Sequence, residues 1–158
     1  MNTFLIYWNP HFSDYKVENF LDEFDFEEER DLLTEDDWGL PEVFKWSIAE
    51  HRDAHAGDRF FFVRVGQDEP TGMMGAGYFV SEPYKGEETD DRGRKVYYVD
   101  MQIEEIVNPA SDKVLPTESL EFAIPDVNWA TGRGCVLISE EIAEAVEDVW
   151  KQHIESIW

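Results

Sequence analysis

The sequence is short of three things that would name a chemistry at once. It has one cysteine, Cys135, in 158 residues, so it offers no disulfide framework and no cysteine-based zinc site. No apolar run approaches the ~20 residues that a helix needs to cross a bilayer. Basic residues are also scarce: 13 Lys and Arg stand against 36 Asp and Glu, a net charge of −23. Nucleic-acid binding usually leaves an electropositive footprint, and the bulk composition works against one. The opening MNTFLIYWNP has neither a basic n-region nor a small-residue cleavage site, which predicts no signal peptide and a cytoplasmic protein without a membrane anchor.

The acid is unevenly spread. Residues 45–95 carry eight basic side chains against ten acidic ones, whereas the rest of the chain carries five against twenty-six. The middle is therefore nearly neutral and can present a locally positive patch. An excess of acid with few lysines also suits a high-salt cytoplasm, in which case the bias would say nothing about a partner. Hydrophobic content of 42% and aromatic content of 15% supply a core for one domain over residues 1–158. A chain of this length buries about 70% of its unfolded surface.

Periodicity gives the elements. TFLIYW (3–8), closed by Asn9-Pro10, reads as a buried strand. Ser13 is placed to cap a helix with Val17, Phe20, Leu21 and Phe24 on its apolar face. The acidic segment 25–39 reads as a solvated loop or frayed helix. Strands are expected at 40–48, 58–66 and 73–84, the last two as a hairpin, and at 95–107 after an exposed loop. Gly75 and Gly77 share a strand face, where a backbone, a ring or a ligand could come close. Thr117 can cap one helical turn, residues 135–138 form a short strand, and Ser139 caps the last helix. The apolar face of that helix is Ile142, Val146, Val149, Trp150, Ile154 and Ile157. Loops too short for parallel crossovers make the middle antiparallel. The expected architecture is α+β: a curved sheet or small barrel of about six strands flanked by helices.

No catalytic constellation stands out. His51 and His55 have loose metal-pair spacing but fall among Ala54, Ala56 and Gly57, which suggests a loop. Cys135 has no histidine near it in sequence, and GMMGAG lacks the Lys-Ser/Thr and the following helix of a phosphate-cradling loop. No cofactor is expected. The six tryptophans are more informative. Trp150 belongs to a helical core face, while Trp8, Trp46 and Trp129 stand at strand ends or turns beside Asn9, Ser47 and Thr131. Such rings serve either as plain core or as the wall of a pocket for a flat or cationic ligand.

The combination GDRFFFVRVG, PTGMMGAGYFVSEPYKG and VYYVDMQIEEIVNP resembles the central block of EVE domains, in the PUA-like superfamily with YTH and ASCH domains. The tail VNWATGRGCVLISEEIAEAVEDVW is similar to EVE-like regions fused to HNH nucleases in restriction systems. The resemblance covers most of residues 3–152. It implies a PUA-like fold and a non-catalytic reader of a modified base in DNA or RNA. By similarity to the YTH pattern, a flipped base would stack on Trp46, with Ser47 and Asn9 reading its polar edge. The second aromatic wall that such cages draw from the loop after the hairpin is missing from KGEETDDRGRK, so Tyr84, Trp8 or Trp129 would replace it.

Phosphate contact would fall to Arg52, Arg92, Arg94 and Lys95, unless these are surface charges paired with acids such as Asp90 and Asp91. Such binding would be weak and would fall with salt. No nuclease domain is recognisable, so cleavage would need a separate nuclease as partner. The rival reading is a protein-interaction module or DNA mimic whose acidic ends bind a basic protein. A small hydrolase of ASCH type would need a Lys-Thr-Glu-like set, which has no recognisable place here.

Overall fold

The computed structural model describes residues 1–26, 31–35, 37, 40–48, 52–89 and 92–157. His51, and with it the His51/His55 pairing, lies outside the described residues, as do Asp90, Asp91 and much of the acidic segment 25–39. The chain runs β1 (Thr3–Trp8), α1 (Val17–Glu23), β2 (Leu32–Thr34), β3 (Phe44–Ile48), β4 (Arg59–Arg64) and β5 (Gly72–Phe79). It continues through β6 (Tyr84–Thr89), β7 (Lys95–Val107), β8 (Leu115–Pro116), α2 (Thr117–Ala123), β9 (Cys135–Ile138) and α3 (Glu140–Ile157).

The apolar runs TFLIYW and RFFFVR are buried along their whole length, as expected for strands covered on both faces. They pair in parallel, Thr3 opposite Arg59 through to Trp8 opposite Arg64. The other pairings are antiparallel, in the order β2-β7-β5-β4-β1-β9, with β3 and β6 added to β7 and β8 to β5. Strand β7 organises the curvature. Its first half pairs with β3 and β6, and its second half with β2 and β5. Bulges at Phe62/Val63 and Ala76/Gly77 bend the strands further.

The bend brings β3 over the face carrying Ile6, Trp8, Phe60 and Phe62, with α1 packed between. Phe20 of α1 lies 5.8 Å from Phe44 and 6.1 Å from Phe62, ring centre to ring centre. The opposite face is covered by α3 through Val146, Trp150 and Ile154. Arg59 ties helix to sheet. It is buried, donates from Nε to Glu147 Oε1 of α3 (2.6 Å) and from Nη2 to Glu104 Oε1 of β7 (3.0 Å).

Ser139 caps α3, its Oγ accepting from Ile142 N at 3.2 Å. The other two expected caps differ. Helix α1 starts at Val17 because the Asn19 amide oxygen reaches back to Lys16 N (2.6 Å), while Ser13 Oγ serves the turn before it, accepting from Tyr15 N. Thr117 is the first residue of α2 rather than its cap, and its hydroxyl pairs with that of Thr71 at 2.9 Å. The strand expected over 73–84 breaks after Phe79, and the polar segment read as a loop forms β6 instead. Among the described residues nine strands therefore stand where about six were expected, the additions being short or polar. At Gly77 the close approach is that of the sheet itself. A Cβ there would lie 2.1 Å from the Gln102 carbonyl oxygen and 2.8 Å from the Phe60 ring.

Candidate functional site

Strands β1 and β4, being parallel, both end on the same side of the sheet, and there the chain leaves a hollow. Along the free edge of β3, a cavity of about 240 Å³ is bounded by Trp46 and Ser47 on one side. Ile6 and Trp8 of β1, Asn9 just after it and Cys135 of β9 form the other side. The Trp46 ring is half-buried. It packs edge-on to Phe62 at 5.0 Å and to Tyr15 at 5.4 Å, so its orientation is set by the core. Contacts of this kind are worth about 0.5–1.5 kcal/mol each.

A second cavity, of about 780 Å³, adjoins the first around the end of β1, sharing Tyr7, Asn9, Ser13 and Gly134 with it. Its remaining walls come from Phe12, from Val65 to Gln67 after β4, and from the loop 130–134. Tyr7 and Asn9 line both cavities, whereas Trp8 lines only the smaller one.

The sequence builds this corner with small residues. Gly66 has φ +124° and faces Asn9, whose Oδ1 would lie 2.7 Å from a Cβ there. Asn9 Oδ1 in turn accepts from His11 N at 3.0 Å, turning the chain after Asn9-Pro10. In the loop 127–134, Trp129 is fully buried and donates from Nε1 to the Ile124 carbonyl (2.9 Å). The Asn128 amide oxygen accepts from the Thr131 N–H and hydroxyl, and the Asn128 carbonyl accepts from Tyr7 Oη at 2.8 Å. Burial pushes the Tyr7 hydroxyl up to about 12, so it remains a donor at neutral pH. Gly132 lies flat against the Tyr7 ring, and Gly134, at φ +67°, turns the chain into β9. Arg133 is thus held between two glycines on a fixed loop, exposed at the mouth of the larger cavity.

Charge sorts sharply across the surface. Among the described residues no carboxylate lines either cavity, and Arg133 is the one basic side chain that does. A third cavity, of about 330 Å³ between β7 and α3, shows the usual bias of the chain. Its lining includes Glu104, Glu105, Glu147, Asp148 and Glu155.

Of the residues singled out in the sequence, Trp46, Ser47, Asn9 and Trp8 come together in the smaller cavity. Trp8 meets it only from the core: the ring is 1% exposed and Nε1 donates to the Tyr15 carbonyl at 2.7 Å. Trp129 lines neither cavity, because its ring anchors the loop from beneath. Tyr84 is also elsewhere, on β6, its hydroxyl donating to Asp100 Oδ1 at 2.7 Å. Arg92, Arg94 and Lys95 lie at the β6–β7 turn, where Lys95 Nζ donates to the Glu87 carbonyl, and Arg52 lies between β3 and β4. None of the four lines either of these two cavities. Phe12 and Arg133 were not visible as site residues in the sequence. The signals were Phe12 standing just after Asn9-Pro10 and Arg133 flanked by glycines.

Among the described residues no group of carboxylates, histidines or cysteine could hold a metal ion, and no helix is long and apolar enough to cross a membrane.

No protein-family model matches the sequence, and no curated protein does either. Among solved structures, protein PSPTO5229 of Pseudomonas syringae superposes with a TM-score of 0.58 at 13% identity, over 93% of this chain and 98% of its own. The human THYN1 protein, in complex with DNA containing 5-methylcytosine, superposes with a TM-score of 0.58 at 13% identity, over 94% of this chain and 97% of its own. At that identity the likeness speaks for the fold alone, an α+β domain built on a curved, mainly antiparallel sheet.

Proposed function

We propose that the chain is a non-catalytic reader of a modified nucleobase, and that the cavity beside Trp46 receives the base after it has left its stack. The observation that carries this reading is a half-buried Trp46 ring, held by its aromatic neighbours, on the wall of a small acid-free cavity in a chain of net charge −23. A flat apolar wall with polar groups at its edge suits an extruded base. Ser47 supplies a hydroxyl and backbone polar groups, and Asn9 an amide. Stacking on such a ring is worth roughly 1–3 kcal/mol per base. The 5-methylcytosine DNA bound by the THYN1 protein makes that base the first to try. A link to restriction or nucleic-acid modification, with a separate nuclease, rests on the resemblance of residues 127–150 to nuclease-fused regions.

The test is direct binding to matched oligonucleotides with and without 5-methylcytosine, as DNA and as RNA, at several salt concentrations. The reading expects affinity that falls with salt and ranks modified above unmodified for at least one modification. Absence of affinity for every oligonucleotide, with salt-sensitive capture of a basic protein, would replace it with the interaction-module reading.

A further inference from the structure

The larger cavity is not needed to hold a single base, yet it opens from the same strand end and is likewise free of carboxylates. It also carries two groups that a base pocket alone would not explain. Phe12 is 82% exposed; with Phe122 on α2 it is one of two phenylalanines left open to solvent among the described residues, and of the two it alone lines this cavity. Arg133 is presented by a loop that Trp129, Asn128 and Gly132 fix in place, and among the described residues no carboxylate pairs with it. A fixed cation is a better anion contact than one on a mobile loop, since less ordering entropy is lost on binding.

We propose that this larger cavity is a second subsite, taking the nucleotide next to the flipped one, with Arg133 on its phosphate and Phe12 against its base. The proposal rests on the base-reading assignment for the direction of the strand. The path runs from the Trp46 cavity past Asn9, which lines both, to the loop at Arg133. Arginine suits the phosphate because its fork of donors matches two oxygens at once. An exposed aromatic ring suits the base because every base has a π-face, so this contact adds affinity without reading sequence. A ring stacked on the neighbouring base also requires that base to be unpaired, so the subsite favours single-stranded or opened nucleic acid over intact duplex.

The three side chains leave separable signatures in one experiment. Binding of a single-stranded DNA of about twelve nucleotides, long enough for such a site, is measured by fluorescence anisotropy across a salt series, with cytosine or 5-methylcytosine at its centre. Arg133→Gln is expected to weaken both oligonucleotides alike and to reduce the slope of log affinity against log salt by about 0.7, one phosphate contact on a single strand. Phe12→Ala is expected to weaken both roughly five- to tenfold with the slope unchanged, and Trp46→Ala to remove the preference with the slope unchanged. Both Phe12 and Arg133 are exposed, so their substitution spares the fold. A slope that stays the same in Arg133→Gln, or an affinity that stays the same in Phe12→Ala, would overturn the second subsite. A slope that falls in a protein with no preference for any modified base would keep the subsite and overturn the base reading. No binding by the wild-type chain at low salt would overturn both.

Discussion

The ring of Tyr7 occupies the space that a side chain on Gly132 would need: a Cβ there would stand 2.2 Å from Tyr7 Cζ. The contact fixes the height of the loop that carries Arg133, and the Tyr7 hydroxyl bond to Asn128 fixes its other end. Gly132→Ala must therefore lift the loop or tilt the ring, an overpacking that typically costs about 1–3 kcal/mol. The expected outcome is a folded protein with a slightly lower Tm and a several-fold weaker hold on oligonucleotides, read by thermal melting and anisotropy. Unchanged affinity would mean that loop height has no bearing on binding.

Arg59 gives a prediction about stability alone. The buried guanidinium joins Glu147 of α3 to Glu104 of β7, and its face lies over the Tyr78 ring at 4.6 Å. Breaking a buried pair costs about 3–5 kcal/mol. Because both carboxylates are partly exposed and can rehydrate, Arg59→Ala should fall near 3 kcal/mol, the lower end of that range. Urea denaturation measures it directly; a loss below 1 kcal/mol would show that α3 docks through its apolar face without help.

Glu105 makes the stability of this protein depend on pH. Burial pushes its carboxyl above the usual range; the bond from Trp150 Nε1 opposes this, and neighbouring Glu104 adds to it. A folded-state value above the unfolded one means that the folded protein holds the proton more tightly. The contribution of the group to stability is therefore full below the unfolded value near 4.5 and is lost as pH rises through the folded value. Glu105→Gln keeps an acceptor for Trp150 without the charge, so it should raise Tm at neutral pH. The gain should fade as pH falls through the carboxylate range. An equal gain at both ends of the range would assign it to packing rather than to charge.

Much of this arrangement is legible in the sequence where local chemistry decides the outcome. A continuous apolar run after Gly57-Asp58 and the turn at Pro70-Thr71-Gly72 mark the β4–β5 hairpin, and Ser139 with Glu140 and Glu141 marks the start of α3. Strands β2 and β8, of three and two residues, are too short to show a period, and β6 is polar on both sides, so its pairing partner rather than its composition makes it a strand. The site follows the same division. Trp46 and Ser47 are neighbours in sequence and reach the cavity together. Phe12, Tyr7 and Arg133 meet only because β1 pairs with β9, more than a hundred residues away, and no local pattern announces that. Trp129 shows the limit from the other side: a tryptophan beside small polar residues is equally suited to line a pocket or to anchor a loop, and here the Ile124 carbonyl, out of view in the sequence pattern, decides for the anchor.

Stacking of a modified base on Trp46 is read from the ratio of affinities for matched modified and unmodified oligonucleotides, taken for the wild-type chain, Trp46→Phe and Trp46→Ala, with thermal melting to show that each is folded. Loss of a stacking contact of about 1–3 kcal/mol corresponds to roughly five- to 150-fold in affinity. If the base stacks there, Trp46→Ala loses about that much for the modified oligonucleotide and the ratio collapses towards one, with Trp46→Phe in between. A folded Trp46→Ala protein that keeps the wild-type ratio would show that the base does not stack on Trp46.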